Sequence, residues 1–140
     1  MEKKVVEILL VEDDELDVID MQRSLDKMSI LHRTQVARNG EEALSILEHC
    51  RYREKPDIIL LDINMPKMNG FEFLTAIRNH EEYRDLRVFI ITTSDEKVDR
   101  ESARKLGVAG YIVKPLKLNN PSSMDSFNLM IDLMNIKSGI

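Results

Sequence analysis

Four apolar runs in the 140-residue sequence each end on polar side chains that could do chemistry together. The polar residues are, in chain order, Glu12-Asp13-Asp14, Asp62, Thr92 and Lys114. Carboxylates crowded into one pocket repel each other unless a cation balances them, and all-oxygen ligands suit Mg2+. Lys114 would add a charge that pairs with an anion, and Thr92 a hydroxyl donor. A carboxylate flanked by a divalent cation, an ammonium and a hydroxyl is well placed to attack phosphorus.

These side chains can meet only if the runs before them are parallel strands of one sheet. The segment Ile58–Leu61 is apolar throughout, which is typical of a strand covered on both faces. A loop with Pro66 and the turn pair Asn69-Gly70 follows directly after Asp62. We therefore expect Asp62 at the carboxyl end of a central strand, the edge where open α/β sheets bind ligands.

Strand and helix patterns alternate along the whole chain. The predicted strands are Val5–Val11, Thr34–Ala37, Ile58–Leu61, Val88–Ile91 and Val108–Val113. The predicted helices include Glu15–Met28 and Gly70–His80. Another is capped by Asn39 and ends before the charged stretch Arg51–Lys55, one ends at Leu106 before Gly107, and the last is opened by Asn120-Pro121. In the first helix the apolar face is expected to consist of Leu16, Ile19, Leu25 and Met28. Five strands alternating with five helices predict a doubly wound α/β fold with a parallel sheet.

Length and composition limit the class of protein. At 140 residues, 43% hydrophobic and 32% charged, the chain is expected to form one domain, 1–140, with no fused output domain. A net charge of −5 argues against nucleic acid as the main ligand. No run is long enough to span a membrane and no signal peptide opens the chain, so we expect a cytoplasmic protein that does not bind membranes. The single cysteine, Cys50, excludes an internal disulfide framework.

The polar segments, taken together and in this order, resemble those of the receiver domain of two-component response regulators. The segments are Leu9-Leu10-Val11-Glu12-Asp13-Asp14, Leu61-Asp62-Ile63-Asn64-Met65-Pro66, Ile91-Thr92-Thr93-Ser94 and Gly110-Tyr111-Ile112-Val113-Lys114-Pro115. The resemblance covers essentially the whole chain. It implies a stand-alone regulator with the chemotaxis-regulator-like, flavodoxin-like three-layer sandwich and a five-stranded parallel sheet of order 2-1-3-4-5. The charged stretch Arg51–Lys55 and the segment Leu116–Asn120 look more like regulators associated with phytochrome-type sensor kinases.

The same resemblance implies roles for individual residues. Asp62 would accept a phosphoryl group from a sensor histidine kinase, or from a histidine phosphotransfer protein in a phosphorelay. Asp13 and Asp62 would ligate Mg2+ directly, Glu12 through water, and Asn64 through its backbone carbonyl. Mn2+ would also suit these oxygen ligands. Lys114 would bind the phosphoryl group.

The resemblance also implies a switch made of two side chains. When Asp62 is phosphorylated, Thr92 would turn inward to the phosphate and Tyr111 would rotate into the space it leaves. That movement would remodel the face formed by the fourth helix, fifth strand and fifth helix, which an effector protein would recognise. Asn64 and Ser94, each two residues beyond a key residue, stand where the family tunes hydrolysis of the acyl phosphate.

Two other functions compete with a signalling receiver. A phosphatase of the haloacid dehalogenase type would need a second carboxylate two residues after the nucleophile, where this chain has Asn64. We therefore expect no turnover enzyme, only a phosphoacceptor that assists its own phosphorylation and slow dephosphorylation. The alternative is a receiver-like interaction module that is never phosphorylated. Such modules usually lack the acidic pair, the aspartate or the lysine, and this sequence has all of them.

The last predicted helix carries more apolar residues than one narrow stripe needs. Phe127, Met130, Ile131 and Met134 form one stripe, which Leu129, Leu133 and Ile136 widen. A surplus apolar face often marks an interface. A homodimer through the face of the fourth and fifth helices is therefore a further hypothesis.

Overall fold

The computed structural model describes residues 5–50 and 55–138, so the charged stretch Arg51–Lys55 lies outside it apart from Lys55. Within these ranges five strands alternate with five helices. The strands are β1 (Val6–Val11), β2 (His32–Ala37), β3 (Ile58–Leu61), β4 (Val88–Thr92) and β5 (Gly110–Val113). The helices are α1 (Glu15–Lys27), α2 (Gly40–His49), α3 (Gly70–Arg78), α4 (Lys97–Lys105) and α5 (Met124–Ser138).

The five strands form one parallel sheet in the order β2-β1-β3-β4-β5, which confirms the predicted fold class and strand order. Val11 lies beside Leu61 in the register of β1 and β3, and Thr92 lies beside Val113 in that of β4 and β5. The strands therefore finish close to a common line. Whatever side chains follow them are delivered to one edge of the sheet.

Each face of the sheet has its own hydrophobic core, because alternate strand residues point to opposite sides. Ile8, Leu10, Ile58 and Leu60 pack with α1 and α5 on one side. Leu9, Val11, Ile59 and Leu61 pack with α2, α3 and α4 on the other. Burying each such side chain contributes roughly 1.5–3 kcal/mol, which is why β1 and β3 can be apolar along nearly their whole length.

Local signals in the sequence placed most helix ends correctly. Asn39 caps α2 and accepts a hydrogen bond from the Glu42 amide at 2.9 Å. Asn69 and Glu72 form a capping box at the start of α3. Gly107 follows α4 with a φ of 70°, the left-handed conformation that favours glycine at this position. Apart from α5, the remaining element ends differ from prediction by one or two residues.

The predicted start of α5 was wrong, because the helix begins at Met124 and not at Asn120-Pro121. Ser123 opens it instead, with its hydroxyl accepting from the Ser126 amide at 3.1 Å. The residues before it cross the side of α1. Leu118 is fully buried there, and Ser24 of α1 donates to the Leu116 carbonyl at 3.1 Å. These tertiary contacts hold the segment in an irregular, non-helical conformation that a local capping rule cannot anticipate.

The predicted apolar faces of the first and last helices were also wrong in part. On α1, Leu16 is 74% exposed and Ile19 38%, while the buried face consists of Val18, Met21 and Leu25. On α5, the core-facing residues are Leu129 and Leu133, and three members of the predicted stripe are exposed, namely Phe127, Ile131 and Met134. Both helices have apolar residues on two faces, so periodicity alone could not choose between them. None of the helices in the described ranges combines the length and hydrophobicity that crossing a bilayer requires.

Candidate functional site

Three carboxylates meet at the edge where β1 and β3 end. Glu12, Asp13 and Asp62 each offer one oxygen, and these oxygens all lie within 4.8 Å of one another. Glu12 is fully buried and Asp62 is 6% exposed, whereas Asp13 is exposed. Neighbouring parallel strands bring them together, as the sequence predicted. The cluster opens to solvent on the side of Asp13.

The loop after β3 is held so tightly that Asp62 has little freedom of position. The Gly70 amide donates to the Ile63 carbonyl at 3.2 Å, and a Cβ on Gly70 would lie 2.5 Å from the Asp62 carbonyl oxygen. The Gly40 amide likewise donates to the Met68 carbonyl at 2.9 Å. The two glycines are therefore required by close backbone approach, and they bring the starts of α2 and α3 against the loop.

Lys114 places its ammonium among the carboxylates. Its Nζ donates to Glu12 Oε1 at 2.7 Å, to Asp17 Oδ2 at 2.7 Å and to Asp62 Oδ2 at 3.3 Å. The Lys114 amide donates to the Thr92 carbonyl at 2.8 Å, which continues the pairing of β4 and β5 by one residue. This backbone bond aims the side chain back across the sheet edge towards β1.

Burial and charge set the protonation of this cluster. Burial raises the pKa of Glu12 to about 7; the hydrogen bond from Lys114 opposes that shift and the nearby Asp62 adds to it. Burial alone would lower the pKa of Lys114, but its hydrogen bonds to Asp17 and Glu12 raise that pKa above the ordinary value. Lys114 therefore stays charged, yet one ammonium does not balance the carboxylates around it.

The donor set of the cluster fits a hard divalent cation. Its ligand atoms are carboxylate oxygens, which Mg2+ and Mn2+ prefer, and its exposed member leaves room for waters and phosphate oxygens. Four carboxylates, those of Glu12, Asp13, Asp17 and Asp62, surround one ammonium, so positive charge is in deficit there. A cation at this position would relieve that deficit.

Asn64 and Thr92 form a polar bridge beside Asp62. The Asn64 amide donates to Asp62 Oδ1 at 3.2 Å, and its side-chain Nδ2 makes a long contact of 3.5 Å with Thr92 Oγ1. Thr92 is fully buried, and its hydroxyl also accepts from the Ser94 amide at 3.4 Å. The hydroxyl of Thr92 thus lies within reach of the site but is bonded to its neighbours.

Tyr111 and Ser94 make a second layer that meets Asp62 only through Thr92 and Asn64. The Tyr111 hydroxyl donates to the Ser94 carbonyl at 2.9 Å, and the Arg100 guanidinium carbon lies 4.9 Å from the centre of its ring. Tyr111 is 6% exposed, and this burial raises the pKa of its hydroxyl. The Ser94 hydroxyl donates to Asp99 Oδ2 at 2.5 Å.

Comparison with known proteins agrees with this arrangement. The profile of the response regulator receiver domain matches residues 8–122, a range that includes β1 to β5 apart from two residues of β1. The chain belongs to the response regulator receiver family. Proteins of this family signal by phosphorylation and are generally not turnover enzymes.

The receiver is similar in sequence and structure to other response regulators, two of which are named as phytochrome or bacteriophytochrome response regulators. Response regulator Rcp1 of Synechocystis sp. is 33% identical over 116 residues, 81% of this chain and 79% of Rcp1. The bacteriophytochrome response regulator AtBRR superposes with a TM-score of 0.77 at 31% identity, over 95% of this chain and 94% of that one. The Mn2+-bound form of Rcp1 superposes with a TM-score of 0.71 at 29% identity, over 95% of this chain and 92% of that one. The phosphorylated cyanobacterial phytochrome response regulator RcpA superposes with a TM-score of 0.74 at 28% identity, over 96% of this chain and 93% of that one.

Asp17 of the receiver is a site residue that the sequence analysis missed. It lies in the first turn of α1, and its carboxylate bonds Lys114 as closely as Glu12 does. Helix side chains tilt towards the helix N-terminus, so a residue in the first turn of α1 points at the edge where β1 ends. Asp14 caps α1, its carboxylate accepting from the Leu16 amide at 2.9 Å. The three-residue spacing from that cap was the available signal.

Proposed function

We propose that this receiver accepts a phosphoryl group on Asp62 from the phosphohistidine of a sensor histidine kinase or of a histidine phosphotransfer protein. The observation that carries the proposal is the setting of the Asp62 carboxylate. It is nearly buried at the sheet edge, grouped with Glu12 and Asp13, and 3.3 Å from the Lys114 ammonium. The residues 1–140 then constitute one receiver that signals by binding other proteins.

The proposed chemistry is a phosphoryl transfer from a phosphoimidazole to the Asp62 carboxylate. An oxygen of Asp62 forms a bond to phosphorus as the phosphorus–nitrogen bond of the phosphoimidazole breaks, and the leaving nitrogen keeps the electron pair. The ammonium of Lys114 and the hydroxyl of Thr92 donate to the phosphoryl oxygens, where charge accumulates. Hydrolysis reverses the gain when water attacks phosphorus and restores the carboxylate with release of phosphate. Asn64 and Ser94 are the residues proposed to tune that rate.

Glu12, Asp13, Asp62 and the backbone carbonyl of Asn64 are the groups proposed to hold Mg2+, with Mn2+ as a substitute. When bound, the metal ion supplies charge neutralisation at the phosphoryl oxygens. The all-oxygen cluster and the excess of carboxylates over the single Lys114 ammonium support this assignment. The Mn2+-bound form of Rcp1, a protein 33% identical to this one, supports it further.

The proposed output surface is the face of α4, β5 and α5. Thr92 and Tyr111 connect it to Asp62, because Tyr111 bonds the β4–α4 loop through the Ser94 carbonyl. A groove of about 410 Å3 lies beside the Tyr111 ring, between the starts of α4 and α5. Large apolar residues are exposed on the two helices, namely Val98, Met124, Phe127, Ile131 and Met134. Such a surface suits an effector protein or a second copy of this chain, and a monomer by light scattering after phosphorylation would contradict the second copy.

Intact-mass spectrometry after incubation with Mg2+ and a small-molecule phosphodonor tests the proposal. The wild type should gain one phosphoryl group, and the gain should disappear when a chelator replaces Mg2+. Asp62→Asn should gain none. Asp85→Asn, which alters an exposed carboxylate at the opposite end of the sheet, should behave as the wild type. A folded wild type with no adduct would overturn the proposal in favour of an interaction module that is never phosphorylated.

A further inference from the structure

The Lys114 ammonium has no free donor. It has three N–H groups, and the three carboxylates of Glu12, Asp17 and Asp62 take them at 2.7, 2.7 and 3.3 Å. A phosphoryl group on Asp62 would bring further acceptor oxygens to the same ammonium. One phosphoryl oxygen could take over the long bond to Asp62, but Lys114 can donate to a second one only if it gives up one of its two short bonds.

Solvent exposure decides which short bond is given up. The Glu12 side chain is 1% exposed in its pair with Lys114, whereas the Asp17 side chain is 31% exposed. A buried carboxylate that loses its cation keeps the full cost of desolvation. Water can replace the ammonium at Asp17, since a half-exposed ion pair is screened and weak. Asp17 is therefore the partner that Lys114 leaves at the lower cost.

We propose that Asp17 is a positioning residue that holds Lys114 on the α1 side of the site and releases it when Asp62 is phosphorylated. The proposal rests on the phosphorylation of Asp62 proposed above. The pair of Asp17 and Lys114 stabilises the unphosphorylated receiver and is lost in the phosphorylated one. Asp17 therefore favours the unphosphorylated state over the phosphorylated one, by the free energy that its ion pair with Lys114 contributes.

Substitution of Asp17 provides the test. The rate of phosphorylation by a small-molecule donor and the rate of dephosphorylation after donor removal are measured in Mg2+, and their ratio sets the phosphorylated fraction at steady state. Only the first rate starts from the state that contains the pair of Asp17 and Lys114. In Asp17→Asn, Lys114 is no longer held by α1, and the ratio should rise about fivefold, the scale of a half-exposed ion pair. Asp17→Glu keeps the charge, and its ratio should lie near that of the wild type.

Asp20 provides a matched control. It lies on the same helix, is exposed, and lines the same groove of about 730 Å3 as Asp17 and Lys114. Asp20→Asn removes a charge of the same sign. Among the described residues, Asp20 makes no hydrogen bond or salt bridge with Lys114. Its ratio should be that of the wild type, which separates a specific pair from a general change of charge.

A spectroscopic readout separates positioning from simple loss of structure. In the metal-free, unphosphorylated protein, the side-chain methylene resonances of Lys114 should shift in Asp17→Asn and stay in place in Asp20→Asn. A wild type that gains no phosphoryl group overturns the proposed function, and this inference falls with it. A wild type that is phosphorylated while Asp17→Asn shows an unchanged or lower ratio overturns the inference alone. Equal rises in Asp17→Asn and Asp20→Asn would also overturn it.

Discussion

Two half-buried cations, one at each end of the sheet, have opposite surroundings. Among the residues that the structure describes, the Lys114 ammonium at the carboxyl end bonds only carboxylates. Within the same ranges, the Arg78 guanidinium at the other end bonds only backbone carbonyls: those of Leu106 at 2.8 Å, Arg84 at 2.9 Å, Leu86 at 2.8 Å and Gly107 at 3.2 Å. The guanidinium joins the end of α3 to the loops that enter β4 and leave α4.

The pKa values of the two cations move in opposite directions for this reason. Burial lowers the pKa of Arg78, and Asp85 only partly offsets it. For Lys114 the bonds to Asp17 and Glu12 outweigh burial and raise the pKa. Neutral carbonyls are fixed by the backbone, so Arg78 is an anchor. Carboxylates can bind a metal ion in place of the lysine, and the lysine can then donate to a phosphoryl group, so Lys114 can act.

The largest expected effect comes from Lys114→Ala. The substitution removes the donor that faces the phosphoryl oxygens, so the rate of phosphorylation by a small-molecule donor should fall about 100-fold. Time-resolved intact-mass measurements give the rate. Lys114→Arg should not restore it fully, because a planar guanidinium cannot satisfy carboxylates arranged for an ammonium. A wild-type rate in Lys114→Ala would remove Lys114 from the reaction.

Arg78→Ala should show the reverse pattern, with stability lost and phosphorylation kept. Four hydrogen bonds from a charged group to backbone carbonyls are removed, two of them half-buried, and we expect the free energy of unfolding to fall by about 3 kcal/mol. Urea denaturation measures it. Arg78→Lys should recover only part of the loss, since one ammonium cannot reach carbonyls on two loops. If the folded variant takes up phosphoryl groups far more slowly, the two ends are not independent.

Metal binding should distinguish the ends in a third way. Mg2+ at 100 times its dissociation constant should raise the free energy of unfolding by about 2.7 kcal/mol. Asp13→Asn removes the exposed carboxylate of the cluster and should abolish most of that gain, while Arg78→Lys should retain it. Melting curves with Mg2+ and with a chelator test both. A gain in Asp13→Asn equal to that of the wild type would place the metal elsewhere.

The smallest expected effect belongs to the second layer. Tyr111→Phe removes the hydrogen bond to the Ser94 carbonyl and keeps the ring under Arg100, so stability should fall by about 1 kcal/mol. The rate of phosphorylation should change little, because Tyr111 contacts Asp62 only through other residues. The affinity of the phosphorylated form for its effector should fall more than the stability or the rate of phosphorylation does. An unchanged stability would show that the bond to Ser94 is replaced by water.

The sequence was most informative where a local signal had one meaning. The apolar runs of β1 and β3 predicted a buried parallel sheet, and Gly107 predicted the end of α4. The grouping of Glu12, Asp13, Asp62 and Lys114 followed from the topology, because parallel strands deliver their ends to one edge.

The rest depended on tertiary contacts that a sequence does not display. Pro121 satisfied the local rule for a helix start. The helix nevertheless begins later, at Met124, because the buried Leu118 holds the preceding segment against α1. The apolar residues of α5 occupied two faces, and only packing on β5 and β1 decided that Leu129 and Leu133 are core. Asp17 was missed because its role depends on where the side chain of Lys114 comes to rest.

The most direct test of the account is to identify the phosphorylated residue chemically. Borohydride reduces an aspartyl phosphate to homoserine, which survives proteolysis and can be located by peptide mass spectrometry. After treatment with Mg2+ and a small-molecule phosphodonor, homoserine should appear at position 62 and nowhere else. Homoserine at Asp13, or an adduct that resists borohydride, would contradict the assignment of Asp62 as the acceptor.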